Sequence, residues 1–228
     1  MKAVILAAGR GQRMGVLTRK LPKPLIKVRG KTFLEHIFSA LPSTIGEVIV
    51  VVGYKGGQIR KFLGSNFGGK RVSYVENAHI ALGNAHSLVL TRRRFRRLER
   101  FMLMYADELP SKREVTRCLA TRFSWLTVLV TAREKAGVVT LSRTGRVIAV
   151  EEKPEHPTSD LVPGGVMVVN TDIFNGRPRR HRNGEYTVTS LMAQFIKTHV
   201  VKAVSGRKNL YFSTRADVDR FNTNGRVV

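Results

Sequence analysis

The sequence predicts a three-layer α/β fold with a mostly parallel central sheet and a small β-rich part in the second half of the chain. Two observations support this prediction. Short apolar runs alternate with amphipathic helical patterns up to residue 125, and runs such as residues 48–52 are apolar throughout, as in strands that are covered on both faces. After Leu126 the pattern changes to successive short strands.

The first half contains alternating predicted strands and helices. The strands lie at residues 2–7, 47–53, 71–76 and 101–105. The helices lie at residues 32–41, 57–63, 83–97 and 111–122. Because parallel strands are joined by right-handed crossovers, helices are expected on both faces of the sheet.

The second half is predicted to be β-rich, with loops at residues 152–165 and 176–184. Its strands lie at residues 126–133, 136–142, 147–152 and 165–170, and a last helix is predicted at 215–222. Thr214 and Asp217 have the spacing of a helix capping box. A chain of 228 residues, 43% of them hydrophobic, can bury one core, so residues 1–228 are expected to form a single domain.

Composition narrows the class of protein. The single cysteine, Cys118, excludes an internal disulfide and is expected to be a buried apolar side chain. No apolar run reaches the ~18 residues that a membrane span needs, and the first run is too short for a secretory signal. We therefore expect a cytoplasmic protein.

The chain is strongly basic: 40 Lys and Arg residues oppose 16 Asp and Glu residues, for a formal net charge of +24. Such a charge attracts nucleotides, anionic membrane surfaces or nucleic acid, and nucleic acid is the least favoured because no groove-reading motif accompanies the charge. The densest cluster, residues 91–100, is compatible with a solvated helix face or with a binding surface. The second interpretation would place the protein at the periphery of a membrane.

A glycine-rich basic loop, AAGRGQRMG, follows the first predicted strand. In an open α/β sheet, ligands bind beyond the carboxyl ends of the strands. Gly9 and Gly11 allow backbone N–H groups to turn towards an anion, and Arg10 and Arg13 add positive charge for phosphate oxygens. The loop lacks the Lys-Ser/Thr ending of a P-loop, and Gly15 falls one residue outside the dinucleotide-binding pattern.

Lys23 lies between two prolines in the segment LPKPL. Pro22 and Pro24 restrict the backbone and remove two N–H donors, so this lysine is presented on a stiff segment. A fixed ammonium group is suited to neutralising charge that develops on a phosphate. The alternative is a proline turn that carries a surface lysine.

Asp107 ends a strongly apolar predicted strand, at the sheet edge where ligand groups are presented. A carboxylate there suits Mg²⁺, which takes one or two carboxylates together with substrate phosphates. The alternative is a turn or helix-capping role. Glu108 is expected to point elsewhere because neighbouring residues of an extended segment face opposite sides.

Together these motifs resemble those of the nucleotidylyltransferases that make sugar nucleotides and related activated alcohols. The family carries L-A-A-G-x-G-x-R-(M/L) after its first strand and P-K-P-L further on, and residues 6–14 and 22–25 match both parts. The likeness continues through EVIVVVGYKGGQI, MYAD, EEKP and GGVMVVNTDIF, so it covers most of the chain. It implies a Rossmann-like fold with a nucleotide-binding half, residues 1–125, and an acceptor-binding half, residues 126–228.

The resemblance implies a Mg²⁺-dependent reaction in which a sugar or polyol phosphate attacks the α-phosphorus of a nucleoside triphosphate and pyrophosphate leaves. Arg13 would hold the polyphosphate, Lys23 would neutralise the α-phosphate and Asp107 would bind the metal. The nucleotide-binding positions would be Leu6, Ala7, Ala8, Gly9, Gly11, Asn77, Gly83 and Asn84. The acceptor-binding positions would be Glu152, Lys153, Gly165 and Glu185. Such a transfer needs positioning and charge neutralisation more than a covalent nucleophile.

The sequence departs from the family in two places. Ala106 stands where a glycine usually precedes the metal-binding aspartate, and Tyr211 and Ser213 stand where carboxylates that include a second metal ligand are expected. These departures leave a second interpretation open: an inactive nucleotide-fold protein that binds nucleic acid or membrane through its basic surface. Asp217 is expected to be structural rather than catalytic.

A finer substrate prediction rests on residues 84–88, N-A-H-S-L. They match the N-x-x-S-L pattern of cytidylyltransferases that activate inositol-1-phosphate or phosphocholine. This favours CTP and a polyol phosphate over UTP or dTTP and glucose-1-phosphate. The alternative is that Asn84 and Ser87 cap a helix whatever the ligand. His79 and His86 lack the spacing of a zinc site.

Overall fold

The computed structural model describes residues 1–129, 137–207 and 212–224, and the statements below refer to these residues. The strands are β1 (Lys2–Leu6), β2 (Lys27–Val28), β3 (Lys31–Thr32), β4 (Glu47–Val52), β5 (Asn66–Phe67), β6 (Lys70–Glu76), β7 (Arg100–Tyr105), β8 (Ser124–Leu129), β9 (Val138–Leu141), β10 (Val147–Glu151), β11 (Leu161–Asn170) and β12 (Lys202–Ser205). The α-helices are α1 (Leu17–Lys20), α2 (Phe33–Ala40), α3 (Gly56–Leu63), α4 (Asn84–Val89), α5 (Lys112–Leu119), α6 (Val188–Thr198) and α7 (Arg215–Asn224).

An eight-stranded sheet forms the middle layer, in the order β12-β8-β11-β7-β1-β4-β6-β5. β1 pairs in parallel with β4 and β7, β4 pairs in parallel with β6, and β8 pairs in parallel with β12. β11 is antiparallel to both β7 and β8, and β5 is antiparallel to β6. The predicted three-layer α/β fold with a mostly parallel sheet is therefore confirmed, with one long antiparallel strand inserted.

Both faces of the sheet are buried, as the apolar runs predict. Successive residues of β4 alternate between two cores: Val48 and Val50 belong to one, and Ile49 and Val51 to the other. α2, α3 and α5 cover the first core, and α4 and α6 cover the second. Cys118 is buried in the first core, where burial raises the pKa of its thiol to about 12, so it is a packing residue as expected.

The helix predicted at residues 83–97 begins within one residue of the predicted start but is much shorter, because α4 ends at Val89 and a short 3₁₀ turn, Arg92–Arg94, follows. Tertiary contacts of the residues that follow explain why the helix ends early. The Phe95 ring turns inward and stacks on Phe101, with 4.4 Å between the ring centroids. The ammonium group of Lys2 donates to the carbonyl of Arg94 at 2.8 Å. The arginine cluster is therefore a turn and a loop, and its interpretation as a helix face is wrong.

The second half differs from the prediction in its boundaries. β11 begins at Leu161, inside the predicted loop 152–165, because a register shift between Pro163 and Met167 lets it pass the proline and two glycines. The parts of two predicted strands at residues 130–133 and 136 lie outside the described residues. α6 and β12 were not predicted. None of the described helices has the length and apolar character needed to cross a membrane.

The last helix begins where the capping pattern predicts. The Oδ2 atom of Asp217 accepts hydrogen bonds from the backbone N–H groups of Ser213 and Thr214, at 2.8 and 2.7 Å. These bonds satisfy N–H groups that a helix start leaves without partners. Asp217 is thus structural, as expected from the sequence.

Candidate functional site

The carboxyl ends of β1, β4 and β7 meet at one edge of the sheet. The Ala106 N–H donates to the Leu6 carbonyl at 3.2 Å, and the Tyr54 N–H donates to the Ala8 carbonyl at 3.0 Å. Gly53 permits this closeness, since a Cβ atom there would lie 2.9 Å from the Ala8 oxygen. The loops that leave these three strands are therefore held against one another, at the place where open α/β sheets bind ligands.

The glycine-rich loop leaves β1 at this edge. Gly11 has a left-handed φ of 62°, which few residues other than glycine adopt. The backbone N–H groups of residues 9–12 donate no hydrogen bond to any described residue. The buried hydroxyl of Thr18 fixes the loop from below by donating to the Gly11 and Gly15 carbonyls, each at 3.2 Å. Consecutive N–H groups without protein acceptors form a concave site suited to an anion.

Lys23 lies directly beneath this loop. It begins a 3₁₀ turn after the extended Pro22, and only 8% of its surface is exposed. A Cβ atom on Gly11 would lie 3.0 Å from the Lys23 Cβ atom, so the second glycine of the motif also makes room for the lysine stem. The ammonium group reaches Asp107, with Nζ 2.9 Å from Oδ2. The residues predicted to hold the α-phosphate and the metal are thus in contact.

Glu108 is buried, and its carboxyl group has a different partner from that of Asp107. Its Oε2 atom accepts a hydrogen bond from the Gly165 N–H at 2.6 Å. Burial raises the pKa of Glu108 to about 8, and the charge of Asp107 adds to this, while the Gly165 N–H and Lys23 act in the opposite direction. In the absence of a bound cation, this carboxyl group is therefore mostly protonated at neutral pH.

Gly165, predicted as an acceptor-binding position, lies where there is no room for a side chain. A Cβ atom on it would lie 2.8 Å from both the Glu108 carboxyl carbon and the Tyr105 Cβ atom. Burial raises the pKa of the Tyr105 hydroxyl well above its usual range, and the charges of Glu108, Glu152 and Asp107 raise it further. Acidic side chains from both halves of the chain therefore act on the Tyr105 hydroxyl.

Glu152 and Lys153 follow β10 and extend the site towards the second half. Their charged groups lie 3.9 Å apart, between Oε1 and Nζ. Lys153 has a φ of 45°, a left-handed conformation in a non-glycine residue that also precedes Pro154. Such a conformation costs on the order of 1 kcal/mol and is concentrated at functional sites.

Asn77 and Asn84, both predicted to bind nucleotide, make internal contacts. The buried Asn77 amide donates to the Ser87 hydroxyl at 2.8 Å, and its oxygen accepts from the His79 N–H at 2.8 Å. The Asn84 side-chain oxygen accepts from the Val188 N–H at 2.7 Å. The polar side chains of the N-x-x-S-L pattern thus connect α4 to the preceding loop and to the start of α6.

Gly83 and Glu185 come together from the two halves of the chain. Gly83 has a φ of 90°, and a Cβ atom there would lie 2.5 Å from the Tyr186 carbonyl oxygen and 2.9 Å from the Glu185 Cβ atom. The Glu185 carboxylate is exposed and accepts from the Asn183 side-chain amide at 3.0 Å. A predicted nucleotide-binding position thus touches a predicted acceptor-binding one.

The described residues offer a limited ligand set for a metal. No group of three or more His, Cys, Asp or Glu side chains in the described ranges is arranged to hold an ion. The Oδ1 atom of Asp107 makes no hydrogen bond with a described residue. The backbone carbonyl of Asp107 accepts a hydrogen bond from the Phe212 N–H at 3.2 Å, so the last part of the chain lies next to this aspartate. Tyr211 lies outside the described residues. The arrangement fits a cation held by Asp107 and substrate phosphates.

Three residues of the site were not predicted as such: Thr18, Tyr105 and Gly53. Gly53 and Tyr105 belong to motifs that were recognised, EVIVVVGYKGGQI and MYAD, but nothing local indicates what they touch. Thr18 carries no signal, since its two acceptors become neighbours only when the loop folds over it. Arg13 is exposed and lies in the 3₁₀ turn that follows Gly11.

The chain falls in the class of α/β proteins with a basic glycine loop at the carboxyl edge of the sheet. Residues 2–210 match the nucleotidyl transferase family, and the chain belongs to that family. The UTP–glucose-1-phosphate uridylyltransferase AglF of Haloferax volcanii is 30% identical over 208 residues, which cover 87% of this chain and 84% of AglF. The D-glycero-α-D-manno-heptose 1-phosphate guanylyltransferase of Campylobacter jejuni is 30% identical over 183 residues, covering 77% of this chain and 78% of that protein.

A longer relative and two solved structures complete the comparison. The bifunctional protein GlmU of Methanocaldococcus jannaschii is 27% identical over 90% of this chain, which spans about half, 49%, of the GlmU length. A Bacillus anthracis protein assigned as a glucose-1-phosphate thymidylyltransferase has a TM-score of 0.82 at 22% identity, covering 100% of this chain and 96% of its own. The inositol-1-phosphate CTP transferase of T. maritima has a TM-score of 0.76 at 19% identity, covering 95% and 90%. These structures share the fold.

Proposed function

We propose that this protein transfers a nucleotidyl group from a nucleoside triphosphate to a sugar or polyol phosphate, with release of pyrophosphate. The observation that carries the proposal is the contact between Lys23 and Asp107, at 2.9 Å, directly beneath the glycine loop. A buried ammonium group beside a carboxylate at this edge meets the needs of phosphoryl-type transfer, which depends on positioning and charge neutralisation.

Each residue has a role in this proposal. The N–H groups of residues 9–12 and the Arg13 guanidinium hold the β- and γ-phosphates, and Lys23 contacts the α-phosphate oxygens. When an oxygen of the acceptor phosphate attacks the α-phosphorus, a new P–O bond forms on the side opposite to the bond that joins the α-phosphorus to pyrophosphate. That bond breaks, and pyrophosphate leaves with its electron pair. Lys23 stabilises the negative charge that shifts during this exchange.

Enzymes of this family generally use a divalent metal ion, and Asp107 is the residue that would hold Mg²⁺ here. The ion would add positive charge to the reacting phosphates. One carboxylate oxygen of Asp107 contacts the Lys23 ammonium group, and the other, which makes no hydrogen bond with a described residue, would bind the ion. Because the buried Glu108 carboxyl group accepts a hydrogen bond from the Gly165 N–H, the substrate phosphates and water would supply the other ligands.

The acceptor is proposed to bind to the second half of the chain, residues 126–228, while residues 1–125 bind the nucleotide. Lys153 would hold the acceptor phosphate, and the exposed Glu185 and half-buried Glu152 would accept hydrogen bonds from its hydroxyl groups. The strained backbone at Lys153 supports this assignment, since it directs the side chain at some cost in stability.

Two substrate pairs are candidates. A sugar 1-phosphate acceptor is supported by the two relatives at 30% identity, whose names specify glucose-1-phosphate with UTP and a heptose 1-phosphate with guanylyl transfer. CTP with inositol-1-phosphate is supported by the Asn84 to Leu88 pattern and by the likeness to the T. maritima enzyme. Because Asn84 and Ser87 make internal hydrogen bonds, we place the sugar 1-phosphate first.

The test is pyrophosphate release from CTP, UTP, GTP and dTTP, each with glucose-1-phosphate, a heptose 1-phosphate and inositol-1-phosphate. We expect one nucleotide and one acceptor to exceed the other pairs in kcat/KM by about tenfold or more, which is ~1.4 kcal/mol of transition-state preference. A preference for CTP with inositol-1-phosphate would establish the second candidate. If a stably folded protein releases no pyrophosphate with any of these pairs, both candidates are wrong.

A further inference from the structure

The edge of the sheet opposite the candidate site carries exposed arginines and leucines. We propose that this surface binds an anionic lipid bilayer, with its arginines on the headgroup phosphates and Leu98 inserted among the headgroups, and so holds the protein at a membrane surface. It is called the amino-edge surface here and consists of Leu90, Arg92, Arg93, Arg96, Arg97 and Leu98.

Contacts fix this surface at the amino ends of the strands. Lys2, the first residue of β1, donates through Nζ to the Arg94 carbonyl at 2.8 Å, and Leu98 lies two residues before β7 begins. β7 then runs to Tyr105, so about 17 Å of strand separates the amino-edge surface from the edge that carries Asp107. A membrane bound to the amino-edge surface would leave the candidate site open to its substrates.

Four arginine side chains of this surface carry uncompensated charge. Within the described ranges, the guanidinium groups of Arg92, Arg93, Arg96 and Arg97 make no hydrogen bond or ion pair, and all four residues are exposed. The single acidic residue of the segment, Glu99, is paired with the Lys2 ammonium group at 3.1 Å. Free guanidinium groups are suited to the phosphates of lipid headgroups.

Two leucines accompany these arginines. Leu98 is 54% exposed and Leu90 is 37% exposed. Leu98 also has a φ of 59°, a left-handed conformation that is rare for a leucine and strains the backbone. Aliphatic side chains among cationic ones match the boundary between headgroups and acyl chains, where apolar side chains enter and charged ones remain with the phosphates.

The loop that presents these side chains is held rigidly from within. Phe95 stacks on Phe101, with 4.4 Å between the ring centroids, and its ring centroid lies 6.1 Å from that of Phe174. The Arg94 guanidinium donates to the Tyr74 carbonyl at 2.9 Å. Arg94 and Phe95 thus anchor the segment, and their neighbours point outward.

The same contacts favour lipid over nucleic acid. Single-stranded nucleic acid is bound by aromatic side chains on which bases stack, and Phe95, the only aromatic residue of the cluster, is turned inward. A groove of duplex DNA is read by a helix or a two-stranded ribbon, and the cluster forms a 3₁₀ turn and a loop. The proposal does not depend on the catalytic activity proposed above.

The experiment measures binding of the full chain to vesicles by flotation. The vesicles contain phosphatidylcholine, alone or mixed with phosphatidylglycerol. One variant replaces Arg92, Arg93, Arg96 and Arg97 with Gln and keeps the anchoring Arg94. The matched control removes four exposed cations elsewhere, Lys27, Lys31, Lys112 and Arg113, by the same replacement. Both variants lose four positive charges, so a difference in vesicle binding between them shows the effect of where the charges lie.

We expect the wild type to bind the mixed vesicles in a salt-dependent way, and the amino-edge variant to bind them more weakly by a factor of roughly 100 or more. The control variant should lose far less of its binding to the mixed vesicles. A third variant, Leu98→Gly, removes the apolar tip and relieves the strained φ, so it should bind vesicles more weakly while its Tm stays equal or rises. This variant tests the proposal even where the fourfold variant folds poorly.

Three results would overturn the proposal. Equal losses of vesicle binding in the two variants with four substitutions would mean that net charge alone attracts the vesicles. Unchanged vesicle binding by Leu98→Gly would exclude an apolar contact with the bilayer. Tighter binding to a labelled oligonucleotide than to the mixed vesicles, at equal phosphate concentration and ionic strength, would identify nucleic acid as the partner.

Discussion

Lys23 and Asp107 are 84 residues apart in the chain, yet their charged groups lie 2.9 Å apart. Lys23 follows a proline after the glycine loop, and Asp107 follows the central strand β7. The pair is half-buried: 10% of the Lys23 side chain and 27% of the Asp107 side chain are exposed. In the absence of substrate each charge compensates the other, and bound phosphates and a cation would take over both roles.

We expect Lys23→Ala to lower kcat by a factor of about one hundred or more, because a preorganised charge is removed from the transition state. The fold should persist, since Pro22 and Pro24 shape the turn and water can reach the partly exposed Asp107. The matched control is Lys20→Ala, an exposed lysine on α1. Steady-state kinetics and thermal unfolding check both variants, and an unchanged kcat for Lys23→Ala would contradict the proposed site.

For Asp107→Asn, the Mg²⁺ concentration that gives half-maximal rate should rise by about tenfold or more, or ~1.4 kcal/mol in metal affinity. The control is Asp217→Asn, which weakens the cap of α7. It should cost roughly 1 kcal/mol of stability without changing the Mg²⁺ requirement. Activity that is indifferent to a chelator in the wild type would refute the metal assignment.

Alanine substitutions at Gly11 and Gly15, the two glycines of the loop with a positive φ, distinguish the effect of backbone strain from that of a steric clash with Lys23. Gly15→Ala meets no atom within 4 Å, but its backbone, with φ 56° and ψ −125°, lies outside the αL region, so the strain should cost roughly 1–3 kcal/mol of stability. Gly11 has an αL backbone, with φ 62° and ψ 34°, so Gly11→Ala carries the smaller strain, about 1 kcal/mol, but its Cβ atom would press on the Lys23 Cβ atom at 3.0 Å. It should therefore move the ammonium group and lower kcat by about tenfold or more. Equal kcat values for the two variants would show that Gly11 does not position Lys23.

Glu108 makes stability depend on pH. Its pKa is about 8 in the folded chain, against an ordinary value of 4.5, so between these values the folded state binds more protons than the unfolded one. Stability should therefore be highest at low pH within this window and fall as pH rises to about 8, with a slope of up to ~1.4 kcal/mol per pH unit. Glu108→Gln removes the titrating group and should flatten this slope.

Urea unfolding across this pH range checks the prediction. Glu76→Gln, at an exposed site, controls for the lost negative charge. Parallel stability curves for the wild type and Glu108→Gln would show that this carboxyl group is ionised in the folded chain.

The four longer strands of the first half, β1, β4, β6 and β7, were predicted to within one residue at each end, because runs such as β4 are apolar on both faces. The two-residue strands β2, β3 and β5 were not predicted. Prediction failed where tertiary contacts overrode local pattern. The arginine-rich segment after α4 has a helical pattern, but the inward turn of Phe95 onto Phe101 ends the helix. β11 contains a proline and two glycines, and only its neighbours β7 and β8 make it a strand.

The sequence by itself determined the fold class, the family and the identity of the proposed phosphate-binding residues, because these depend on local pattern: an apolar strand, the glycines after it, and a lysine between prolines. The tertiary structure alone decided which residues meet. Asp107 reaches Lys23, the Gly165 N–H binds a buried Glu108, and Asn84 caps the start of α6. Each of these contacts joins strands or loops far apart in the chain, and burial of the sheet on both faces brings them together.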